Sequence, residues 1–190
     1  ANQGGGKLMR LLNFKVRECQ SHKWKAIDLS NDVCIFYSKK NSTGKTTLMR
    51  AILHTLGFSI PNTDLVKFEN YEFYLEISLD GKNIILTRNN QLLTINETEF
   101  DLPSEQMTAH NFLFGISNPE ILSNLLATIY FDQEKGWTLL NRGTIIGLNR
   151  FSIESFFRGL KGDESVESYE IVAKIRALDK KIAQYNLMLN

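Results

Sequence analysis

Cysteine is scarce in this sequence. Of 190 residues only Cys19 and Cys34 are cysteine, and no spacing of the metal-binding kind joins them. A disulfide scaffold is therefore excluded, and a reducing compartment fits best. Cys34 lies in an apolar run and reads as a small buried hydrophobe. No apolar run is long enough to span a bilayer, and no secretory leader is visible. The expectation is a cytoplasmic protein with no membrane partner. Bulk charge is nearly absent too: the formal net charge is +1. That balance argues for neither a nucleic-acid nor a membrane partner and leaves only local basic patches as a route to one. What is present is a core-forming composition, 43% hydrophobic, which excludes a disordered chain. The length allows one large domain, or one domain with an extension. Residues 1–6, with Gly4, Gly5 and Gly6, read as a flexible tail or a scar preceding the fold.

The chain changes character several times. Residues 7–15 and 24–29 predict short strands. Residues 32–37, with Val33, Cys34, Ile35, Phe36 and Tyr37, are apolar on both faces, as a buried central strand is. A helix is expected over 46–56, with Leu48, Ile52 and Leu56 on one face and Gly57 as its stop. Residues 71–79 then alternate through Tyr71, Phe73, Leu75, Ile77 and Leu79, the pattern of a half-buried strand. Asp80-Gly81 is a hairpin signal. Strands over 83–88 and 91–95, with a turn at Asn89-Asn90, complete an antiparallel meander. Beyond it the pattern predicts a helix over 119–126, an apolar strand over 128–131, a short helix over 151–157 and a polar loop over 159–168. In the tail, Ile171, Leu178 and Tyr185 are seven apart, as are Ile175, Ile182 and Leu189. The two sets interleave as a heptad seam, with Lys174, Arg176, Asp179, Lys180 and Lys181 on the outer face. A coiled-coil helix is expected to begin near 163. No longer internal repeat is visible.

Between the apolar run and the first helix lies Lys40-Asn41-Ser42-Thr43-Gly44-Lys45-Thr46-Thr47. Strand, Gly-containing loop and helix is the context in which such a run binds phosphate. The phosphate chain of a nucleotide carries several negative charges. Inward-pointing backbone N–H groups and a helix N-terminus meet them without blocking the terminal phosphate. Gly44 lets the backbone approach closely, Lys45 is the residue expected to reach the β- and γ-phosphates, and the Thr46 hydroxyl is the expected Mg²⁺ ligand. The strict pattern asks for Gly where this chain has Lys39. Lys39 and Lys40 add positive charge there. The simpler reading is an ordinary Gly-containing turn before a helix.

The order of these parts resembles the N-terminal half of an ABC-type ATPase head of the SMC, RecN and RecF kind, a group that includes the double-strand-break-repair ATPase. The resemblance rests on Asn13-Phe14-Lys15 near the start, the P-loop, the inserted meander, a strand ending at Gln133 and the start of a coiled coil. Asn41 matches the group's loop, while Lys39 and Ser42 stand where relatives usually carry Gly. The implied fold is α/β: a P-loop NTPase of ABC head type with an antiparallel β meander and a C-terminal coiled-coil helix. The implied organisation is an ATP-binding lobe over 7–162 and a coiled coil from 163 to 190. The implied ligands are ATP and Mg²⁺. By the same resemblance, Lys15 is a basic residue near the phosphates, and its alternative is a solvated lysine at a strand edge. Gln133 is the Q-loop glutamine that touches Mg²⁺ and the attacking water. Arg88 sits where relatives often have Arg and reads as structural. The implied partners are a C-terminal lobe reached through the coiled coil, a second head, and DNA in the full assembly.

Two other classes remain open. Asp132, after an apolar run, has the look of a Walker B residue that holds Mg²⁺ through water, with Glu134 as base. The chain is then a self-contained small P-loop NTPase or nucleotide kinase. The third class is a non-catalytic module with a degenerate loop and a recruiting coiled coil. In the family reading the chain lacks the signature motif, the Walker B pair and the switch histidine. His22, His54 and His110 have no matching context. Hydrolysis needs Mg²⁺, a positioned water and neutralised charge on all sides. The isolated chain is therefore expected to bind ATP and to turn it over barely, if at all.

Overall fold

The computed structural model describes residues 8–39, 44–62 and 66–116. Further along it describes 121–122, 124, 126–127, 130–132, 136–137, 144–146, 149–154 and 157. The chain separates into two units. One comprises Ala1–Ser117 with Ile146–Asn149, the other Asn118–Ile145 with Arg150–Asn190. The division after Ser117 falls inside the lobe expected over 7–162.

The first unit is built on a six-stranded sheet, ordered β2-β1-β3-β4-β5-β6 and antiparallel at every pairing. Its strands are β1 (Met9–Glu18), β2 (Trp24–Asp28), β3 (Tyr71–Leu79), β4 (Lys82–Asn89), β5 (Leu92–Ile95) and β6 (Thr98–Asp101). Four of the five pairings join sequence neighbours. Asp80 and Gly81 both have positive φ, 51° and 78°, so the β3–β4 turn has the twist that a two-residue hairpin needs. Asn90 and Asn96 supply the left-handed residue at the next two turns, as Asn does more readily than most side chains. Asn96 also closes its turn twice over. Its N–H donates to the Ile85 carbonyl at 2.7 Å, and its side-chain oxygen accepts from the Ile85 N–H at 3.0 Å.

Register puts every large apolar residue of β3 on one face. Phe14, Leu75, Leu86 and Ile95 lie opposite one another across four strands, and all are fully buried. This row is the spine of the core. At about 1.5–3 kcal/mol for each fully buried side chain, it is a main source of cohesion. Helix α1 (Lys45–Thr55) covers this face. Its Ala51, Ile52 and Leu53 are buried, and His54 meets Phe73 of β3. Gly57 ends the helix at φ 91°, with its N–H on the His54 carbonyl at 3.0 Å. Helix α2 (Gln106–Phe114) buries Ala109, His110 and Leu113 and stops at Gly115, also left-handed. Neither α2 nor β6 was expected from the sequence.

In the second unit, Ile121, Leu122, Asn124 and Leu126 are helical, within the expected helix, and Ala127 is helical one residue beyond it. The Asn124 side-chain oxygen accepts the Ser152 N–H at 3.0 Å, and Leu122, Leu126 and Tyr130 are buried. The expected strand over 128–131 reduces, among the described residues, to β7 (Phe131–Asp132), paired antiparallel with β8 (Gly136–Trp137). Later in the chain come the short strands β9 (Thr144–Ile146) and β10 (Asn149–Arg150), of which Ile146 and Asn149 belong to the first unit. Ile153, Glu154 and Phe157 are helical where a short helix was expected. The loop over 159–168 and the heptad helix to Asn190 lie outside the described residues.

One expectation is overturned. Residues 32–37 form no strand, and Val33, Ile35 and Tyr37 are 76%, 81% and 85% exposed. Cys34 is half-buried rather than buried. The physical reason is the lack of neighbours. A strand that is apolar on both faces needs a strand at each edge and a layer on each side. The strands of the described sheet are matched to one another, and residues 32–37 pair with none of them.

Candidate functional site

The site expected from the sequence centres on the N-terminus of α1. Gly44 is the residue before the helix and takes φ 87°, ψ 9°, the left-handed conformation that L side chains rarely adopt. A Cβ there would meet nothing within 4 Å, so the backbone, not crowding, asks for glycine. The Leu48 N–H donates to the Gly44 carbonyl at 2.8 Å and closes the first turn. Among the described residues no side-chain cap bonds the helix start, and no acidic residue lies in its first turn. The positive end of the helix dipole thus keeps its sign for an incoming anion. Lys45 is exposed at the first helical position, and Thr46 and Thr47 behind it are half-buried. Lys40, Asn41, Ser42 and Thr43 lie outside the described residues, as do Gln133 and Glu134. Lys39 is described and exposed.

Lys15, the other basic residue expected near the phosphates, lies on β1, and the loop over 40–43 that would define its distance from them is outside the described residues. Lys15 sits opposite Tyr74 in the β1–β3 ladder, and its ammonium lies 5.0 Å from the Tyr74 ring centroid. Its neighbour Phe14 points into the core beneath α1. Successive strand residues face opposite ways, so Lys15 is on the sheet face that α1 does not cover. It is half-buried there, on a strand flanked by β2 and β3 rather than at an edge of the sheet.

That open face carries Arg10, Lys15 and Arg17, against Asp28, Glu72, Glu76, Glu99 and Asp101. Arg17 pairs with Glu72 at 2.6 Å and lies over the Trp24 ring, and Arg10 is paired with Asp32. Its balance is acidic, so it offers no platform to a phosphate backbone.

The residues that sequence reasoning undervalued are on the other face. Arg88 is 6% exposed, among the apolar residues of the core. Its Nε donates to the Asn90 carbonyl at 2.6 Å, while Nη1 is buried with no partner among the described residues. Burial pushes the guanidinium down to about 10. His54 and His110 are also buried. Burial, aided by the Arg88 charge, lowers His54 to about 3 and His110 to about 4. Both imidazoles are neutral at physiological pH, so neither is a proton shuttle there. A signal was available: Ile84, Leu86 and Arg88 are alternate residues, which puts Arg88 on the apolar side of β4. Among the described residues no cluster of His, Cys, Asp and Glu could hold a metal ion, and no helix is long and apolar enough to cross a membrane.

No known family profile matches the chain. It is similar to the Lamassu protein LmuB of Bacillus cereus (strain VD014), 25% identical over 147 residues. The match covers 69% of this chain and 25% of the relative, so the chain spans about a quarter of that protein's length.

Proposed function

We propose that this chain is the ATP-binding lobe of an SMC-like ABC-type ATPase. The observation that carries the reading is the head of α1, where a left-handed Gly44 leads into an exposed Lys45 and then Thr46. An anion fits there on two counts: the helix start has no acidic residue in its first turn, and the backbone at Gly44 is open. Lys45 would hold the β- and γ-phosphates, and Thr46 would hold Mg²⁺. Bound Mg²⁺ would neutralise charge on the transferring phosphoryl. The chain's own part is to grip and orient. Glutamine cannot take a proton at neutral pH, so Gln133 would position water without activating it.

The exposed row Val33, Ile35 and Tyr37 supports the view that this lobe is completed by another. In this reading the remaining catalytic groups come from a C-terminal lobe and a second head, and DNA is engaged by the assembly. The acidic open face of the sheet agrees with a lobe that binds DNA poorly alone. The alternative, a self-contained enzyme with Asp132 as Walker B, is less well supported. Asp132 lies opposite Gly136 in a two-residue antiparallel ladder, not at the end of a long central strand.

Calorimetry tests the reading. Wild type is expected to bind Mg-ATP, and Lys45→Ala to lose at least tenfold in affinity, about 1.4 kcal/mol. Unchanged affinity overturns it. Steady turnover by this chain alone, abolished by Asp132→Asn, would instead promote the self-contained enzyme.

A further inference from the structure

The buried cluster at the far end of α1 has no place in nucleotide binding. His54 is 8% exposed and His110 3% exposed, so both are more than nine-tenths buried. His54, in the last turn of α1, is enclosed by aromatic rings: Phe68 at 4.9 Å and Phe73 at 5.6 Å between centroids. Both its ring nitrogens are buried and have no hydrogen-bond partner among the described residues. His110, on α2, places Nε2 3.2 Å from the carbonyl of Leu56, the residue that caps α1. Its ring lies 4.9 Å from Phe58 and 5.7 Å from Phe114. Gly57 passes so close that a Cβ there would stand 2.8 Å from His110 Nε2. Arg88 links the two histidines. It pairs in register with Phe73 on one side, which touches His54, and with Leu93 on the other, which lies against Gly57.

The charged groups around this cluster are cations. Arg88 comes from β4, and Arg50, half-buried, lies one turn before His54 on α1. The turn bearing Phe68 carries Glu69, and the residue before α2 is Glu105, but both carboxylates are exposed. On β3, Glu72 and Tyr74 flank Phe73 and point to the opposite face of the sheet. Glu18 of β1 shares the Phe73 face of the sheet, opposite Tyr71, and its carboxylate accepts from the Ser21 hydroxyl; among the described residues no ion pair joins an acid to either imidazole. A proton arriving here would place a second buried charge beside an unneutralised guanidinium.

We propose that His54 and His110 form a proton-sensitive latch on helix α1, which holds its last turn against the sheet while both rings are neutral and releases it when either is protonated. The neutral rings pack as aromatics and His110 holds the Leu56 carbonyl. The hydrogen bond to Leu56 favours the charged ring, but burial opposes it more strongly. The sign follows from linkage. Both groups take up protons less readily in the closed state than when exposed, where an imidazole titrates near 6.5. Closure is therefore fully stable above about pH 6.5. It is lost as pH falls toward the lowered values, about tenfold per pH unit for each histidine. The latch stands whether or not Lys45 meets a phosphate.

Amide exchange, corrected for intrinsic rates, is the test on the whole chain between pH 7.5 and 5. The expected result is a steep loss of protection at Ala51, Ile52, Leu53, His54 and Thr55, while β3 and β4 keep theirs. His54→Phe keeps the aromatic packing and cannot titrate. His110→Gln keeps a donor for the Leu56 carbonyl. The double variant is expected to hold α1 closed at pH 5. Protection of α1 that does not change with pH overturns the proposal, as does loss of β3 and β4 in step with it. So does a double variant with the wild-type pH dependence. Should the double variant not fold, the imidazole C–H resonances of the wild type decide. Two rings silent to below pH 5 in the closed state support the latch, and either one titrating near 6.5 overturns it.

Discussion

The meander over β3, β4 and β5 and the apolar run over 32–37 looked equally strand-like, and the molecule treats them oppositely. β4 and β5 each follow a partner after a two-residue turn, so the hydrogen bonds between β3 and β4 and between β4 and β5 are met locally, while β1 closes the other edge of β3. Alternation tells each side chain which face to take, and Leu75, Ile77, Leu86, Leu93 and Ile95 are all fully buried. The run at 32–37 is richer in apolar residues for its length. It carries no turn that leads to a neighbour and no alternation to choose a face. Its Val33, Ile35 and Tyr37 project into solvent. Apolar content thus predicts burial only where the chain also supplies something to be buried against.

The sharpest way to break this comparison is to cut into the local side of it. Leu75 lies between Phe14 and Leu86 in the buried row. Leu75→Ala should cost about 2–5 kcal/mol, because the sheet cannot collapse onto the space left behind. Urea unfolding followed by far-ultraviolet circular dichroism measures it. A loss under 1 kcal/mol would mean that the row is not the core.

A smaller effect is expected where α1 leaves the sheet. Gly57→Ala sets a Cβ against His110 Nε2 and Leu93 at a φ of 91°. Left-handed strain costs about 1–2 kcal/mol and the overpacking adds at least about 1 kcal/mol. We expect roughly 2–3 kcal/mol in the same measurement. A neutral result would mean that α2 shifts freely, which also removes the crowding on which the histidine latch depends.

What the sequence made legible follows the same division. The turns at Asp80-Gly81 and Asn90, and the helix ended by Gly57, were readable because each signal and its consequence lie within a few residues. Helix α2 was harder. It is short, and exposed Met107 and Phe112 interrupt the stripe made by Ala109, His110 and Leu113, although Gly115 marks its end. For the candidate site, Gly44 and Lys45 were visible as a motif. The face occupied by Lys15 was not, because a strand's face is set by its partners. Arg88 read as structural, and its alternation with Ile84 and Leu86 offered the apolar side of β4 but not how deeply it is buried. Its burial depends on a register that β3 and β5 impose together.

The smallest expected effect tests the other side of the comparison. Ile35 is 81% exposed and lies outside any strand. In this chain Ile35→Ser removes apolar surface that water already reaches, so the transfer term is close to zero. Surface changes of this kind stay within about 0.5 kcal/mol. The unfolding midpoint of the variant should therefore coincide with that of the wild type. A loss of 2 kcal/mol or more would show that residues 32–37 are buried in solution, and would remove the contrast with the meander. The same substitution should matter once a completing lobe is present. If an added strand covers Ile35, the side chain passes from water into a core, and the serine would forfeit about 1.5–3 kcal/mol of association. At 1.4 kcal/mol for each factor of ten, the complex should weaken about ten- to a hundredfold while the free chain is untouched. Equal affinity for wild type and variant would mean that the row is not where the second lobe docks.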